Sequence, residues 1–492
     1  MKRTWRSIFG GCLFFTLSFA AGCSSHGELP RRIGESLEGI AGSSASGQFL
    51  YVDPGTPALP QATLYPVRRS LFGWELAFAP VPVNLGRNGV APPYEKREGD
   101  GRTPAGMFPL RQAFGYPAAF PGKFPYRQVD TQDLWVDDVQ SPDYNRWVWR
   151  GETRASSFEE LLRPDPLYRY ALVLDYNTEP VVRDLGSAIF IHLERSPGSS
   201  TAGCVSLPEK ELVQVMEWLD PAERPQAVIG SASAVASASA GVKGQLPADL
   251  PEQLGRRISE SPRLLALRRG AGGFFAAAGS LPPSVGQQML EKKSWRPECP
   301  VPLEQLAYLV TSFWGFDGRP RYGELVVHQA LSAFVIDSLH HAFNGRFPIE
   351  RMELIDAFDA DDFRSMEANN SSAFNCREVP GKPGVFSRHS YGVAIDVNPL
   401  QNPYLMLEGS AREKGAAVTE AAAASDFCLA NPGICQVLPA SSASYLDRQN
   451  QRPGMLQPGD PLLTPFRQRG FTWGGSWRFP DYQHIEFDPA KL

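Results

Sequence analysis

The sequence lacks an excess of positive charge. Its 48 lysine and arginine residues are outnumbered by 53 aspartate and glutamate residues, which gives a net charge of −5. Proteins that bind nucleic acid normally present a basic face, so no nucleic-acid partner is expected. After the N-terminal segment the chain has no long uninterrupted apolar run, and a further membrane span is therefore not expected. No repeat of fixed period is present either.

Cysteine is also scarce. The chain of 492 residues has seven cysteines, and two of them, Cys12 and Cys23, lie in or directly after the N-terminal apolar run. The others are Cys204, Cys299, Cys376, Cys428 and Cys435. Because these remaining cysteines number five, which is odd, at least one thiol should stay free unless it pairs between chains. Cys204 is the only one of these that precedes residue 299, which makes it the candidate for the free thiol.

Two disulfide pairs are possible among the remaining cysteines. Cys428 and Cys435 flank a turn-rich segment that contains Pro and Gly and could bring them together. Cys299 and Cys376 form the second possible pair. The sequence leaves both pairings open, because cysteine spacing does not determine connectivity.

The N-terminus has the features of an export signal. Basic residues precede an apolar run over residues 8–21 that is short for a membrane-spanning helix. The run ends in Ala20-Ala21-Gly22-Cys23, which resembles the cleavage site of bacterial lipoprotein signals. The resemblance implies a signal peptide over 1–23, a lipid anchor on Cys23 and, from Ser24, sorting to the outer membrane with the protein facing the periplasm. The alternative is an ordinary secretory signal with an incidental Cys23; both routes lead to compartments that permit disulfides.

The composition divides the chain into segments. Residues 24–60 are polar and rich in Gly, Ser and Pro, which predicts a tether. Residues 61–230 consist of short apolar runs separated by Gly, Pro and Asn, a mostly-β pattern. Residues 231–295 begin with the small-residue run SASAVASASAG, which predicts a flexible linker, and their remainder has no assigned role. A second domain follows over 296–492.

Periodicity predicts several elements near the candidate sites. The runs 170–174 and 187–193 predict strands, and a helix is predicted to open at Pro208. In the second domain, apolar residues recur at helical spacing over 324–343, and Asn344-Gly345 predicts the end of that helix. The histidines on this predicted helix are His328, His340 and His341.

His192 and Cys204 form the first candidate site. A cysteine nucleophile needs a nearby base to produce its thiolate, and His192 is the only histidine in residues 61–230. The loop over 193–203 is rich in small residues and suited to bringing the two together. The alternative is a strand-end histidine and a buried cysteine that never meet, because cysteine is often simply buried.

A known family shares this arrangement. The segment from His192 through Thr201-Ala202-Gly203-Cys204-Val205 resembles the catalytic motif of the L,D-transpeptidase (YkuD-type) family, and segment 98–108 resembles a second, glycine-rich motif of that family. The resemblance implies a mostly-β sandwich domain in which Cys204 attacks a peptidoglycan stem peptide and forms a thioester. It implies His192 as the base. Thr201 and Gly203 would contact the substrate.

One position departs from that family. Many members carry arginine two residues after the cysteine, whereas this chain has Ser206. Substrate anchoring is therefore expected to differ. Whether the thioester passes to an amine or to water stays open.

A second candidate site combines histidine and carboxylate residues. The imidazoles of His389 and His484 and the carboxylate of Asp396 form a zinc set that leaves a fourth position for water. Asp481, three residues before His484, could take a proton from that water. Glu486 alternates with His484 along a predicted strand and so shares its face. The alternative for each histidine alone is an ordinary polar residue in a loop.

These residues also match a family pattern. The pattern Ser-x-His-x-x-Gly-x-Ala-x-Asp over 387–396, followed by Asp-x-x-His over 481–484, resembles the zinc D,D-carboxypeptidase and L-alanyl-D-glutamate endopeptidase (VanY-type) family. The resemblance implies an α+β peptidase domain with one Zn²⁺ and with Asp481 as general base. The implied zinc ligands are His389, Asp396 and His484. Arg377 is the candidate for binding a substrate carboxylate, and an ordinary surface ion pair is its alternative.

Two catalytic signatures in one exported chain predict a bifunctional peptidoglycan-remodelling lipoprotein that acts on stem peptides. In a second hypothesis only the zinc domain is catalytic, as a D,D-carboxypeptidase or endopeptidase, and the cysteine domain is a hydrolase or a wall-binding module. In a third, the chain is a non-enzymatic envelope tether. The sequence does not determine which stem-peptide bond the zinc domain cuts, nor the oligomeric state.

Overall fold

The computed structural model describes residues 28–41, 45–71, 73–231, 233–235, 246–379, 382–406, 421–431 and 434–492. The predicted signal peptide with Cys23, and most of the small-residue run at 231–241, lie outside these residues. Within the described ranges, no helix combines the length and the apolar character needed to cross a membrane.

Short strands build the N-terminal unit, because its apolar runs are only a few residues long and are separated by residues that end strands. The strands are β1 (Gln48–Asp53), β2 (Gln61–Ser70), β3 (Gly73–Leu76), β4 (Val81–Asn84), β5 (Val90–Ala91), β6 (Thr103–Pro104), β7 (Gly106–Gly115), β8 (Tyr126–Gln128), β9 (Asp133–Val136), β10 (Trp147–Trp149), β11 (Phe158–Glu160), β12 (Tyr170–Leu174), β13 (Phe190–Leu193), β14 (Val205–Leu207) and β15 (Gln226–Ile229). The helices are α1 (Arg31–Ala41) and α2 (Glu209–Trp218).

Eight of these strands close into a barrel. Their order is β1-β15-β7-β12-β13-β14-β4-β2, and β2 pairs back to β1. Apolar side chains fill the interior, among them Leu50, Leu172 and Ile191. The predicted sandwich must therefore be corrected, because β1 pairs with both β2 and β15 and removes the open edges that a sandwich would have.

Part of the segment predicted as a tether contributes to this barrel. β1 lies within residues 24–60, and α1 precedes it. Ile33 and Leu37 of α1 are buried against Phe49 and Val67 on the outer side of the strands. The apolar spacing of this short helix thus covers a barrel face that would otherwise be exposed.

A second layer covers the opposite outer face of the barrel. Strands β10, β9 and β11 form a three-stranded sheet, followed by a 3-10 turn at Pro166–Tyr168. Trp135, Leu161 and Tyr168 from this layer pack against Phe190 of β13 in one buried cluster. The layer therefore lies over the part of the barrel that carries the first candidate site.

The C-terminal unit combines helices and strands. Its strands are β16 (Leu264–Arg269), β17 (Phe275–Ser280), β18 (Leu306–Trp314), β19 (Pro320–His328), β20 (Arg351–Met352), β21 (Asn370–Ser371), β22 (Ala394–Asp396), β23 (Tyr404–Met406), β24 (Gln436–Leu438), β25 (Thr472–Trp473) and β26 (His484–Glu486). Its helices are α3 (Glu252–Glu260), α4 (Pro283–Lys292), α5 (Ser332–Asn344), α6 (Asp362–Glu367), α7 (Ala421–Ala430) and α8 (Leu463–Gln468).

The segment without an assigned role, within 231–295, is folded from residue 252 onward. β16 and β17 pair antiparallel with each other, and β17 pairs with β18 in a sheet of order β16-β17-β18-β19. Helix α5 packs on one face of this sheet, where Phe334 and Leu339 are buried. Residues 264–280 therefore supply half of the main sheet of the C-terminal unit.

The predicted helix over 324–343 is wrong in its first part. Residues up to His328 form β19, and the helix α5 begins only at Ser332. Val327 faces one buried cluster and Val326 faces the other, so both faces of the strand are apolar. Such a strand appears in sequence as a continuous apolar run that cannot be told from a buried helix. The predicted helix end is confirmed.

Both possible disulfides are present. Cys299 pairs with Cys376, and Cys428 pairs with Cys435. Cys204 is the free cysteine of the described residues, as its isolated position in the sequence predicts.

Buried hydrogen bonds join the two units. The guanidinium of Arg183, a residue that is 2% exposed, donates to the carbonyls of Val139 and Lys491. Its backbone N–H donates to the carbonyl of Ala330 at 3.0 Å. Because these carbonyls come from both units, Arg183 satisfies polar groups that the interface would otherwise bury unpaired.

Candidate active sites

Neighbouring strands hold the first candidate site on the outer face of the barrel. β13 and β14 run parallel, with His192 opposite Ser206, and Cys204 directly precedes β14. Ile191 and Val205 point into the barrel interior. Because side chains alternate along a strand, Phe190 and His192 point outward, as do Cys204 and Ser206. The structure therefore places His192 and Cys204 on the same face of adjacent strands, with Cys204 two residues before the position opposite His192.

The covering layer buries both side chains. Cys204 is 9% exposed and His192 is 7% exposed. Cys204 belongs to the cluster that contains Trp135 and Leu161. The ring of Tyr168 meets that of His192 edge to face, with centroids 5.3 Å apart. Few water molecules can therefore reach the site in this conformation.

Hydrogen bonds determine how His192 can act. Its Nδ1 lies 2.8 Å from the carbonyl oxygen of Leu193, so Nδ1 carries the proton and Nε2 keeps its lone pair. The sulfur of Cys204 accepts from the N–H of Phe190 at 3.4 Å and donates to the carbonyl of Ala188 at 3.3 Å. The imidazole is thus held in the tautomer that a general base requires.

Burial keeps both groups neutral. It raises the pKa of the Cys204 thiol to about 12 and lowers the pKa of His192 to about 4. At neutral pH the pair is a thiol and a neutral imidazole, since each charged form would lose its hydration. The thiolate would therefore form during the reaction, by proton transfer to a base, and not before it.

The predicted loop motif is tied to the upstream glycine-rich segment. The Thr201 hydroxyl donates to the carbonyl of Cys204 at 2.6 Å and accepts from the N–H of Gly203 at 3.1 Å. The Thr103 hydroxyl approaches the same carbonyl at 3.4 Å. A Cβ on Gly203 would lie 3.0 Å from the carbonyl oxygen of Arg102. Thr201 and Gly203 therefore shape the turn before the cysteine and let segment 98–108 pack against it.

Ser206 occupies a buried position next to His192. It is 1% exposed, and its hydroxyl has no hydrogen-bond partner among the described residues. An unpaired buried hydroxyl is costly unless something outside the chain pairs with it. An uncharged side chain thus stands at the position where many members of the family carry arginine.

Strand pairing also assembles the second candidate site. β22 and β26 are antiparallel, and their register sets Asp396 directly opposite His484. His389 comes from a 3-10 turn at Arg388–Tyr391, which ends at Gly392 with a φ of 68°. A Cβ on Gly392 would lie 2.6 Å from the backbone nitrogen of His328, so only glycine fits this turn.

Three ligand atoms converge at this site. His389 Nε2 lies 3.2 Å from an oxygen of Asp396 and 3.2 Å from His484 Nδ1, and that Nδ1 lies 2.9 Å from the other Asp396 oxygen. Ligand atoms of a tetrahedral zinc ion stand about 3.4 Å apart, given bonds of about 2.1 Å. The three side chains can therefore hold a metal ion with little movement.

The outer nitrogens are oriented by further partners. His389 Nδ1 bonds the carbonyl of Ala373, and His484 Nε2 lies 3.0 Å from Glu486. The prediction that Glu486 shares the face of His484 is confirmed. Such contacts direct the other nitrogen of each ring at a metal. Burial disfavours the charged form of His484, but the hydrogen bonds to Asp396 and Glu486 outweigh burial and raise the pKa of His484 to about 10. The two carboxylates therefore favour a positive charge at the site.

Asp481 lies beside these ligands with a free oxygen. Its backbone forms an isolated antiparallel β-bridge with Tyr404. Its Oδ1 atom is buried without a hydrogen-bond partner among the described residues. Burial raises the pKa of Asp481 to about 7. A carboxylate with such a pKa suits proton exchange near neutral pH.

The backbone of Arg377 contacts the turn that carries His389, because its N–H donates to the Ser390 hydroxyl at 2.9 Å. Its guanidinium forms an ion pair with Asp362 and is one-third exposed. The structure thus shows the ion pair that was the alternative for this residue. Of two tryptophans near His484, Trp473 is buried, whereas the ring of Trp477 lies at an angle to that of His484, with centroids 5.5 Å apart.

A second group of ligand-type side chains lies on α5. Asp337, His340 and His341 approach one another there. However, Asp337 forms ion pairs with Arg469 and Arg268. Since two guanidinium groups already compensate this carboxylate, the group is suited to structure rather than to metal binding.

Comparison with known sequences agrees with this geometry. Residues 69–229 match the L,D-transpeptidase catalytic domain family (YkuD). Residues 380–487 match a D-alanyl-D-alanine carboxypeptidase family. Both resemblances are confirmed. The transpeptidase match contains His192 and Cys204. The carboxypeptidase match contains His389 and Asp481, whereas Arg377 lies outside both matches.

Other comparisons add little. No curated protein matches the chain. One solved structure matches the chain, that of the helical cell shape determining protein Pgp2 from Campylobacter jejuni. The two sequences are 10% identical, the match covers 60% of this chain and 93% of the Pgp2 chain, and the TM-score is 0.19. At that score the likeness carries no argument about the fold.

Sequence patterns miss some contacts of the sites. Tyr168 touches His192 although it lies in a different run of the chain, and the Ala373 carbonyl orients His389. No spacing rule connects either to its partner. A carbonyl can be supplied by any residue type, so only the folded chain identifies it.

We expect the Cys204 thiol to be unreactive in the resting protein. At pH 8, alkylation by iodoacetamide should be about a hundredfold slower than in the denatured chain, because burial lowers both access and the thiolate fraction. The rate should rise with pH up to about pH 12, where burial places the pKa. Peptide mass spectrometry of the full chain measures the rate, with Cys204→Ala as the control. Rapid labelling at pH 8 would contradict a buried neutral thiol.

Proposed function

We propose that the chain is a bifunctional enzyme that remodels peptidoglycan by acting on its stem peptides. One observation supports this: the chain carries two chemically distinct candidate sites, with His192 and Cys204 on one face of adjacent strands and a His–Asp–His set beside the unpaired Asp481 oxygen. The family matches that contain these sites are to a transpeptidase and a carboxypeptidase. Both chemistries have stem peptides as their common substrate class.

At the first site, Cys204 is the nucleophile and His192 is the base. As sulfur attacks the peptide carbonyl, the thiol proton passes to Nε2 of His192, and the Nδ1 bond to Leu193 stabilises the resulting imidazolium. The C–N bond then breaks, and His192 returns the proton to the leaving amine. A thioester on Cys204 remains. An amine or water then attacks it, loses a proton through His192 and restores the thiol.

At the second site, His389, Asp396 and His484 would hold one zinc ion. Zinc supplies a Lewis acid that polarises a carbonyl and lowers the pKa of water. Asp481 takes a proton from the attacking water and delivers it to the leaving amine, a role that suits its raised pKa. Glu486 and the Ala373 carbonyl keep the two imidazoles in place.

A second candidate function is supported by the burial of Cys204. In this alternative only the zinc unit is catalytic, as a D,D-carboxypeptidase or an endopeptidase, and the barrel is a hydrolase or binds the wall. The neutral, covered thiol and the serine at position 206 favour it. If the barrel only binds the wall, no thioester forms on Cys204; if it is a hydrolase, a thioester forms and only water resolves it.

A reaction with purified muropeptides separates these functions. We expect the full chain to form a covalent adduct on Cys204 and to yield exchanged or shortened stem peptides in the presence of a chelator. Cys204→Ala should abolish these products and leave chelator-sensitive cleavage intact, because the second site does not use the thiol. Mass spectrometry of protein and products measures both. Chelator-resistant products that persist in Cys204→Ala would refute the first site, and their absence from the parent chain would establish the alternative.

The roles within the second site can be separated as well. Asp481→Asn should lower peptide cleavage by about a thousandfold or more, because a general base is lost, while one zinc per chain is still bound. His389→Ala should lose both zinc and cleavage. Zinc content by elemental analysis and cleavage rates measure these outcomes, with the exposed Asp488→Asn as a matched control. Full activity of Asp481→Asn would exclude Asp481 as the base.

We further propose that the protein is exported and anchored by a lipid on Cys23, facing the periplasm at the outer membrane. The N-terminal sequence supports this. Cys23→Ala should abolish the incorporation of labelled palmitate into the protein, whereas Cys12→Ala should not. Metabolic labelling followed by immunoprecipitation measures the incorporation. Cys23→Ala protein that still carries the label would contradict a lipid anchor on this residue.

A further inference from the structure

A short segment of the C-terminal unit contacts two of the three proposed zinc ligands. We call this segment, residues 372–377, the strap. Ser372 and Asp396 exchange two backbone hydrogen bonds, at 2.8 and 3.0 Å. The carbonyl of the next residue, Ala373, bonds Nδ1 of His389. The strap therefore holds one ligand by its backbone and another by its imidazole ring.

Ser390 ties the far end of the strap to the turn that carries His389. The hydroxyl of Ser390, which is fully buried, donates to the carbonyl of Arg377 at 2.8 Å and accepts from the Arg377 N–H at 2.9 Å. The same hydroxyl lies 3.3 Å from the carbonyl of Asn375. At the start of the turn, the N–H of Ser387 donates to the Arg377 carbonyl at 2.9 Å. A displacement of this end of the strap would therefore displace the turn as well.

A disulfide fixes that end of the strap. Cys376 is bonded to Cys299, which lies 77 residues earlier in the chain. The N–H of Cys376 donates to the carbonyl of Ser294 at 2.9 Å, and its own carbonyl accepts from the Arg296 guanidinium at 2.6 Å. The disulfide and both hydrogen bonds thus join the strap to one segment, residues 294–299.

The two segments that this disulfide joins have little regular structure of their own. Residues 294–299 lie after α4, the strap lies after β21, and neither is part of a helix or a strand. Segments of this kind open locally more readily than helices and sheets do. A covalent bond between them restricts that opening, and the strap passes the restriction on to the zinc ligands it contacts.

The second disulfide has no comparable connection. Cys428 and Cys435 are only seven residues apart, and Cys428 lies in α7. In the described part of the chain, neither cysteine forms a hydrogen bond with the strap or with a proposed zinc ligand. This disulfide therefore serves as an internal comparison for the first.

We propose that the Cys299–Cys376 disulfide positions the zinc ligands, so that the site reaches its full affinity for zinc only after this disulfide has formed. It acts through the strap on Asp396 and His389 and touches no reacting atom. In a reducing compartment the chain would carry a weak metal site, which would mature only where disulfides persist. The inference rests on the proposed zinc function and adds to it a control by the redox state of the compartment.

Titration calorimetry with zinc tests this on the full chain. Cys299→Ala combined with Cys376→Ala should weaken zinc binding by about tenfold or more, because contacts that orient metal ligands contribute about tenfold to a hundredfold in affinity. Alanine leaves no thiol at these positions that could itself bind zinc. The matched control, Cys428→Ala combined with Cys435→Ala, removes the other disulfide and should keep the affinity of the parent chain. Thermal melting checks that both variants fold.

A second measurement uses the parent chain and does not depend on the folding of a variant. Two glutathione molecules reduce one protein disulfide to two thiols and become glutathione disulfide. Because coupled equilibria are reciprocal, saturating zinc should make the Cys299–Cys376 disulfide harder to reduce by the same factor of about ten or more. The Cys428–Cys435 disulfide should show no such shift. Alkylation of the thiols in glutathione buffers of graded ratio, followed by peptide mass spectrometry, measures both disulfides.

Equal zinc affinity of the parent chain and the folded Cys299→Ala/Cys376→Ala chain would overturn the proposal. So would a zinc-induced shift that is absent from Cys299–Cys376 or equal in both disulfides, since an equal shift would report only a general stabilisation of the fold. If the variant does not fold, the glutathione measurement decides alone. A parent chain that binds no zinc would instead refute the proposed zinc function.

Discussion

Strand register between distant segments is the constraint on which both sites depend. His192 and Cys204 share one face because β13 and β14 pair in parallel, and Asp396 meets His484 because β22 and β26 pair antiparallel. A shift of one residue in either pair would turn a reactive side chain to the other face of its sheet. The apolar residues that alternate with the reactive ones, such as Ile191 and Ile485, fill the cores and prevent that shift.

The relation between the two units depends on buried polar groups as well as on apolar contact. Arg183 bonds carbonyls of both units, and Arg97 donates to the carbonyl of Leu267 at 3.3 Å. Arg97 belongs to the segment that leads into the glycine-rich motif packed against Cys204. The interface between the two units therefore extends to the segment that packs against the turn before Cys204.

Much of each site could be predicted from the sequence because the chemistry requires particular residue types at short spacings. The pattern around His389 and Asp396 lies within one turn and strand, and the position of Glu486 followed from simple alternation. The barrel closure was missed because β1 lies in a region whose Gly, Ser and Pro content suggested a tether. The start of α5 was misplaced because β19 is apolar on both faces. The cover over Cys204 could not be predicted, since it depends on packing between segments far apart in sequence.

The two sites stabilise their buried ionisable groups in opposite ways. Cys204 and His192 are buried as two neutral groups, so the protein need not compensate any charge there. At the other site, Asp396 is buried as a carboxylate, and its pKa is far below the usual range because the charges of His389 and His484 outweigh the effect of burial. That arrangement is stable only with positive charge beside it. A metal cation supplies this charge without protonating the imidazoles, whereas nothing in the barrel site calls for an ion. The same difference agrees with the proposed functions, in which the barrel uses a nucleophile of the chain itself and the C-terminal unit activates water.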